Sequence, residues 1–342
     1  MIPPLIALTL VPSPEHNSSG HPENVERFQH FGRLQGAAFA ERLLRLESQP
    51  AREEDLTTVH PAAYLHALQQ AVARGPGYID YAPTYVTQAS YRAALDAAGG
   101  TLQVVEAVAA GRARSGFALV RPPGHHATPT EAMGFCLINN LAVATRRVQQ
   151  LGFRRVMIAD FDVHHGNGSQ AVFERDPEVL FLSTHQSGIY PGSGDLNETG
   201  VGEGQGTVIN IPLPAGAGDH AFAEIYDRIV GPAAERFAPQ FLMVSAGFDA
   251  HWADPLAGLQ LTCSGFYHLG RALADLAERL CDGRLVLVLE GGYDPEALAS
   301  SVMAVLAALA GLPAPSDPVG PAPYPEPSVQ GILHNVQAIH GL

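Results

Sequence analysis

The segment Val156-Met157-Ile158-Ala159-Asp160-Phe161-Asp162-Val163-His164-His165-Gly166-Asn167-Gly168 constrains the fold of this chain more than any other. It begins as an unbroken apolar run, the pattern of a strand buried on both faces, and ends in acids and an imidazole at every second position. Extended backbone turns successive side chains to opposite sides, so Asp160, Asp162 and His164 point the same way. Oxygen and nitrogen donors that emerge together before a glycine-rich turn can hold a divalent metal and leave positions free for water and substrate. A strand end with satisfied polar groups is the plain alternative for a single Asp-x-His, and three further segments weigh against it.

Arg121-Pro122-Pro123-Gly124-His125-His126 sets adjacent histidines in a stiff turn, and Val244-Ser245-Ala246-Gly247-Phe248-Asp249 is another apolar strand ending in an acid. Leu285-Val286-Leu287-Val288-Leu289-Glu290-Gly291-Gly292-Tyr293 closes on a carboxylate, two glycines and a tyrosine. Apolar runs recur near 4–11, 117–120, 155–160, 179–183, 207–211, 240–245 and 284–289. Helix-like stretches near 23–47, 61–74, 88–110, 138–151, 219–237, 264–281 and 294–310 separate them. Strands apolar on both faces that alternate with helices predict an α/β fold, a parallel sheet flanked by helices on both faces. Ligands of such sheets gather outside the carboxyl ends of the strands, where these chemical segments sit.

The 342 residues, 46% hydrophobic and 16% charged, suffice for one large core. No glycine-serine linker, charge block or repeat divides the chain, and the chemical segments run from 121 to 293, so 1–342 reads as a single domain. The proline-rich stretch 313–327 predicts an extended surface strap, followed by a short apolar segment ending at Leu342. A formal charge of −14, with 20 arginines and no lysine, argues against nucleic acid as a partner, because phosphate contacts need clustered cations. Cys136, Cys263 and Cys281, far apart in apolar settings, fit buried thiols in a reducing compartment. Met1 to Val11 lacks the basic region and cleavage site of a signal peptide, and no apolar run approaches the roughly 18 residues of a bilayer span. A soluble, cytoplasmic protein is expected.

Together these residues resemble the histone deacetylase superfamily, whose fold is similar to that of arginases. The match spans about 15–310 and includes His21-Pro22-Glu23, Arg121 to Ala127, Met133-Gly134-Phe135-Cys136, Asp160 to Gly168, Tyr190-Pro191-Gly192, Ser245 to Asp249, Asp254-Pro255-Leu256 and Leu289 to Tyr293. The resemblance implies a single-domain sheet of about eight strands and, more narrowly, a class II-like bacterial histone deacetylase-like amidohydrolase related to acetylpolyamine amidohydrolases. It implies Asp162, His164 and Asp249 as ligands of one Zn2+, or of Fe2+ in the cell. Spacing alone leaves Asp249 open, since an acid at a strand end can also cap a helix.

The same resemblance assigns His126 as general base and then acid, with His125 as its electrostatic partner. Asp160 would pair with His125 and Asn167 with His126. Many family members carry aspartate at the latter place, and an amide orients His126 without a charge that raises its pKa. Tyr293 would donate to the developing oxyanion. Gly134, Phe135 and Tyr190 would wall a tunnel for an acyl-lysine, Tyr190 replacing the commoner phenylalanine. Leu256 stands where polyamine-selective relatives place an acidic gatekeeper. A structural K+ or Na+ is implied beneath the zinc by Asp160 and Ser183, with carbonyls of Asp162, His164 and Thr184. His16 and His21 read as turn or cap residues and His165 as a buried hydrogen-bonding group.

The expected partner is an acylated lysine side chain or a small acetylated amine, and the expected reaction is zinc-dependent hydrolysis of its amide. An acetylpolyamine deacetylase shares this chemistry. A two-manganese ureohydrolase is disfavoured because Ser245 to Asp249 supplies only one acid, and a non-catalytic acyl-lysine module is disfavoured by the histidine pair and Tyr293.

Overall fold

A computed structural model describes residues 5–81 and 83–342. The strands are β1 (Ile6–Val11), β2 (Leu43–Leu46), β3 (Gly77–Tyr78), β4 (Tyr85–Val86), β5 (Ser115–Val120), β6 (Val156–Asp160), β7 (Val179–Gln186), β8 (Val208–Leu213), β9 (Phe241–Ala246) and β10 (Leu285–Leu289). Eight of them form one sheet in the order β2-β1-β5-β10-β9-β6-β7-β8, with every pairing parallel, and β3 and β4 make a small antiparallel hairpin. The helices are α1 (Glu53–Leu56), α2 (Ala62–Arg74), α3 (Ser90–Ala109), α4 (Asn140–Gln150), α5 (Asn167–Phe173), α6 (Asp219–Ile225), α7 (Gly231–Phe237), α8 (Cys263–Leu280), α9 (Pro295–Leu309) and α10 (Gln330–His340).

Period-two alternation divides the core into two layers. On β10, Leu285, Leu287 and Leu289 join the cluster under α6 to α10, while Val286 and Val288 join the one under α2 to α4. The central strands β5, β10, β9 and β6 are neighbours, so the chemical segments that follow them emerge side by side at one edge. Alternation outlasts the ladder at β6: Phe161 and Val163 enter the core beyond the strand's last residue, which turns Asp162 and His164 the other way.

The helix expected over 23–47 does not form. Gly32 and Gly36 interrupt it, and the chain makes short 3-10 turns at Val25–Phe28, Phe31–Gln35 and Ala40–Arg42 before Leu43–Leu46 adds the eighth strand. The stretch 219–237 is one helical path loosened by a π turn at Tyr226–Val230, just ahead of Pro232, which has no N–H to continue the α pattern. The strap does more than cover surface: Glu326 accepts from the N–H groups of Gly218, His220 and Ala221 at 2.9–3.0 Å, capping the start of α6. The apolar end of the chain is helical, and α10 buries Leu333 and Val336 in the main core. All three cysteines are buried free thiols, and among the described residues no helix is long and apolar enough to cross a membrane.

Candidate active site

Asp162, His164 and Asp249 offer ligand atoms that all lie within 4.8 Å of one another. Their placement follows from the strands: Asp162 and His164 leave β6, and Asp249 leaves β9, its nearest neighbour on that side. Backbone N–H groups aim the carboxylates. Asp162 accepts from His164 at 2.9 Å and from Gly291 at 2.8 Å, and Asp249 accepts from Val163 at 3.0 Å. A Cβ on Gly291 would come within 2.0 Å of Asp249 Oδ2, so the glycine lets the β10 turn close over both acids.

His164 Nδ1 stands 3.2 Å from Asp162 Oδ1 and 3.2 Å from Asp249 Oδ2. Burial opposes a charge on this imidazole, yet the two carboxylates outweigh it and push its pKa up to about 10. For Asp249 burial and then Asp162 raise the pKa, the signature of two acids crowded into one dry place. Such a point calls for positive charge, and two carboxylates with one imidazole nitrogen suit Zn2+ or Fe2+.

The adjacent histidines are in opposite states. His125 Nδ1 lies 3.0 Å from Asp160 Oδ2, and although burial disfavours its charge, Asp162, Asp160 and Glu290 push its pKa up to about 10. His126, with its ring 4.0 Å away, is driven well below 6.5 by burial and by the charges of His125 and His164. Asn167 Oδ1 sits 2.7 Å from His126 Nδ1, and the Asn167 amide nitrogen faces Met133 Sδ at 3.4 Å, which fixes the amide's orientation. His126 therefore carries its proton on Nδ1 and leaves a lone pair on Nε2. Glu290 holds the pair's backbone by accepting from Gly124 N at 2.6 Å and His125 N at 3.0 Å.

A cavity of about 260 Å3 opens onto this centre, lined by Pro83, His126, Gly134, Phe135, His164, Tyr190, Leu256 and Tyr293. Phe135 reaches it from a tight turn in which Met133 and Cys136 exchange both backbone hydrogen bonds, with Gly134 at φ 55° and Phe135 at φ 69°. A bulky residue in the left-handed region is strained, and Asp80 and Thr84 hold the turn by accepting from Gly134 N and Phe135 N. His21, read as a turn residue, packs edge-on behind Phe135 with ring centroids 4.7 Å apart. Tyr190 faces the His126 ring at 5.0 Å, and its buried hydroxyl has no hydrogen-bond partner among the described residues. Asp254 ties the mouth together, accepting from Tyr293 N at 2.7 Å and from Leu256 N at 3.0 Å. Burial, then Asp249, raises the Tyr293 phenol well above 10, so it keeps its proton.

The residues nominated for a monovalent cation lie together: Asp160 and Ser183 are register partners of β6 and β7, and Thr184 Oγ1 donates to the Asp160 carbonyl at 3.4 Å. Carboxylate, hydroxyl and carbonyl oxygens are a donor set for a hard cation. His165 is a buried hydrogen-bonding group, 2.9 Å from both Ser193 Oγ and Gln170 Oε1.

Sequence reasoning missed Arg27. Its guanidinium lies 4.9 Å from the Tyr293 ring centroid and donates to the carbonyls of Gly292 and Glu290, each at 2.6 Å, fixing the backbone on both sides of Gly291. Glu23 accepts from Arg27 and Arg121, all three fully buried. The four-residue spacing of Glu23 and Arg27 was the local signal for this pair.

A family model described as the histone deacetylase domain matches residues 21–309. The chain is 44% identical over 324 residues to "Histone deacetylase 10, chloroplastic" of Oryza sativa subsp. japonica, covering 88% of this chain and 72% of that protein. It is 40% identical over 299 residues to a histone deacetylase-like amidohydrolase of Pseudomonas aeruginosa, covering 86% of this chain and 78% of that one. A crystal structure of the HDA15 HD domain superposes with a TM-score of 0.89 at 33% identity, over 98% of this chain and 94% of that one. The sheet, the converging donors and these likenesses agree that this chain belongs to the histone deacetylase family.

Proposed function

We propose that the chain is a Zn2+-dependent amidohydrolase that removes acetyl or related acyl groups from lysine side chains. The observation that carries this reading is the histidine pair: His125, bonded to Asp160, backs His126, which is bonded to Asn167 and lines a cavity that also reaches His164, one of three converging metal-ligand residues. A bound divalent ion would supply Lewis acidity toward the acyl carbonyl and acidify a water. His126, with its Nε2 lone pair facing the cavity, would take a proton from the attacking water and return it to the leaving amine. His125 keeps its charge and favours the negative charge that develops nearby. The Tyr293 phenol, protonated because it is buried, donates to the oxyanion, and Arg27 keeps its backbone in place.

Phe135 and Tyr190 flank the cavity and suit an aliphatic stem. Leu256 at its mouth gives a second ammonium no counter-charge, which favours acyl-lysine over acetylpolyamine. We assign K+ or Na+ to Asp160 and Ser183 with the carbonyls of Asp162, His164 and Thr184. Zinc-reconstituted protein is to be assayed on acyl-lysine peptides of varied acyl length and on acetylputrescine. Hydrolysis of the acetyl-lysine peptide with the higher kcat/KM supports the reading, and a preference of about tenfold for acetylputrescine, some 1.4 kcal/mol, overturns its substrate. Folded, zinc-loaded protein inert toward the whole panel overturns the activity.

A further inference from the structure

Behind the candidate monovalent-cation site lies an imidazole that the catalytic reading does not use. His185, on β7 two residues after Ser183, is 2% exposed. Its Nδ1 is 2.9 Å from Ser183 Oγ, and its Nε2 is 3.0 Å from the carbonyl oxygen of Gly194. A carbonyl oxygen has no proton to give, so Nε2 carries the ring proton and donates to Gly194. The ring is buried 4.8 Å from the His165 imidazole and holds one proton. Nδ1 is then a lone pair, and the Ser183 hydroxyl must donate to it. With that proton turned toward His185, the lone pairs of Ser183 Oγ are left for a cation.

The other nitrogen meets the loop that carries the tunnel wall. Gly194, at φ 90°, sits between two imidazoles: a Cβ there would lie 2.6 Å from His185 Nε2 and 2.7 Å from His165 Cγ. The same stretch is tied by Ser193 Oγ to His165 Nδ1 at 2.9 Å, and by Glu198, which accepts from Gly194 N at 2.9 Å and Asp195 N at 3.0 Å. Tyr190 is four residues upstream.

We infer that His185 is a positioning residue with two separable jobs: its Nδ1 orients Ser183 as an acceptor toward the monovalent cation, and its Nε2 proton clamps the loop that presents Tyr190 to the substrate. The first job rests on the reading of Asp160 and Ser183 as a cation site. Amide substitutions separate the two, because a Gln side chain reaches the place of Nε2 and an Asn side chain that of Nδ1. His185→Gln keeps the donor to Gly194 and loses the acceptor for Ser183, and His185→Asn does the reverse.

Zinc-loaded protein is titrated with KCl against choline chloride at constant ionic strength while its thermal unfolding midpoint is read, and kcat and KM are measured on an acetyl-lysine peptide. In His185→Gln the K+ concentration for half-maximal stabilisation rises about tenfold, as for a lost outer-shell partner, with KM unchanged. In His185→Asn that concentration is unchanged and KM rises about fivefold, the worth of one hydrogen bond. Gly194→Ala, whose Cβ would press on both rings and push the loop away from His185, also raises KM. No K+-specific stabilisation of the unaltered protein overturns the cation site itself. A normal K+ response with His185→Gln unaffected overturns the role of His185 toward Ser183. An unchanged KM in His185→Asn and Gly194→Ala overturns the clamp.

Discussion

Two clusters of buried charge adjoin each other at the carboxyl end of the sheet, and they are balanced in opposite ways. Around Glu23 the protein supplies its own counter-charges: Arg27 and Arg121 meet the carboxylate, and their other donors reach the carbonyls of Glu290, Gly292, Pro12 and His16. Burial would raise the Glu23 carboxyl, but Arg121 and His16 hold it well below its usual range. Around Asp162, three carboxylates (Asp160, Asp162, Asp249) share the space with His125, the imidazolium they stabilise, and with His164, which must be neutral to bind a metal. With Glu290 behind His125, the acids outnumber the imidazolium and leave an excess of negative charge that bound cations would offset. An ion cluster that serves the fold closes on its own residues, and one that serves chemistry is left open by the charge of its missing guest.

Taking one acid from each cluster separates these roles. Asp162→Ala should cause the largest loss: metal content measured by emission spectroscopy falls from one ion per chain to nearly none, and kcat/KM falls by more than the roughly 100-fold typical of lost outer-shell partners. An unchanged ion and rate would place the metal elsewhere. Glu23→Gln should instead cost about 3–5 kcal/mol of stability, since it buries two guanidinium groups without a counter-charge. The measurement is the urea midpoint at constant m-value, with zinc content retained. A variant that kept its stability and lost its zinc would move Glu23 into the open cluster.

Two substitutions sharpen the boundary between the clusters. Tyr293→Phe removes the phenol donor and should lower kcat by about 10²–10³-fold, near 3 kcal/mol, with KM little changed. Arg27→Lys keeps a positive charge for Glu23 but loses the planar fork that grips the carbonyls of Gly292 and Glu290. We expect kcat about tenfold lower at constant KM, a loss of about 1.4 kcal/mol confined to the transition state. A rise in KM without a fall in kcat would mean that Arg27 shapes the cavity rather than Tyr293.

What could be read from the sequence was local. The β6 segment announced its own geometry, because Phe161 and Val163 keep the strand's alternation going after its ladder ends, and the four chemical segments lay at strand ends that the parallel order makes neighbours. Which histidine is charged was not readable from spacing, since it depends on Asp160 and Asn167 arriving from β6 and α5. The 23–47 region misled because Phe28, Phe31 and Leu34 sit at three-residue spacing, which 3-10 turns share with a helix, and because β2 exists only through its pairing with β1. Arg27 left only its spacing from Glu23, and His185 left no pattern. The carbonyl that Arg27 grips at Gly292 is 265 residues away, and His185 acts through the carbonyl of a glycine.

The smallest expected effect probes how the open cluster keeps its base neutral. Asn167→Asp would place a carboxylate where a neutral amide oxygen now lies 2.7 Å from His126 Nδ1. In the native protein burial and the charge of His125 hold His126 well below 6.5, so its basic form is complete at neutral pH and the acidic limb of kcat/KM lies on the acid side of 6.5. A neighbouring negative charge stabilises the imidazolium and raises that pKa, so the limb must move upward, by about one pH unit. At pH 8, where the base is unprotonated in both proteins, their rates should stay close, and the difference should open as the pH falls through the shifted limb. A limb that stays in place would assign it to a group other than His126, and one that moves downward would contradict the basic role of His126 altogether.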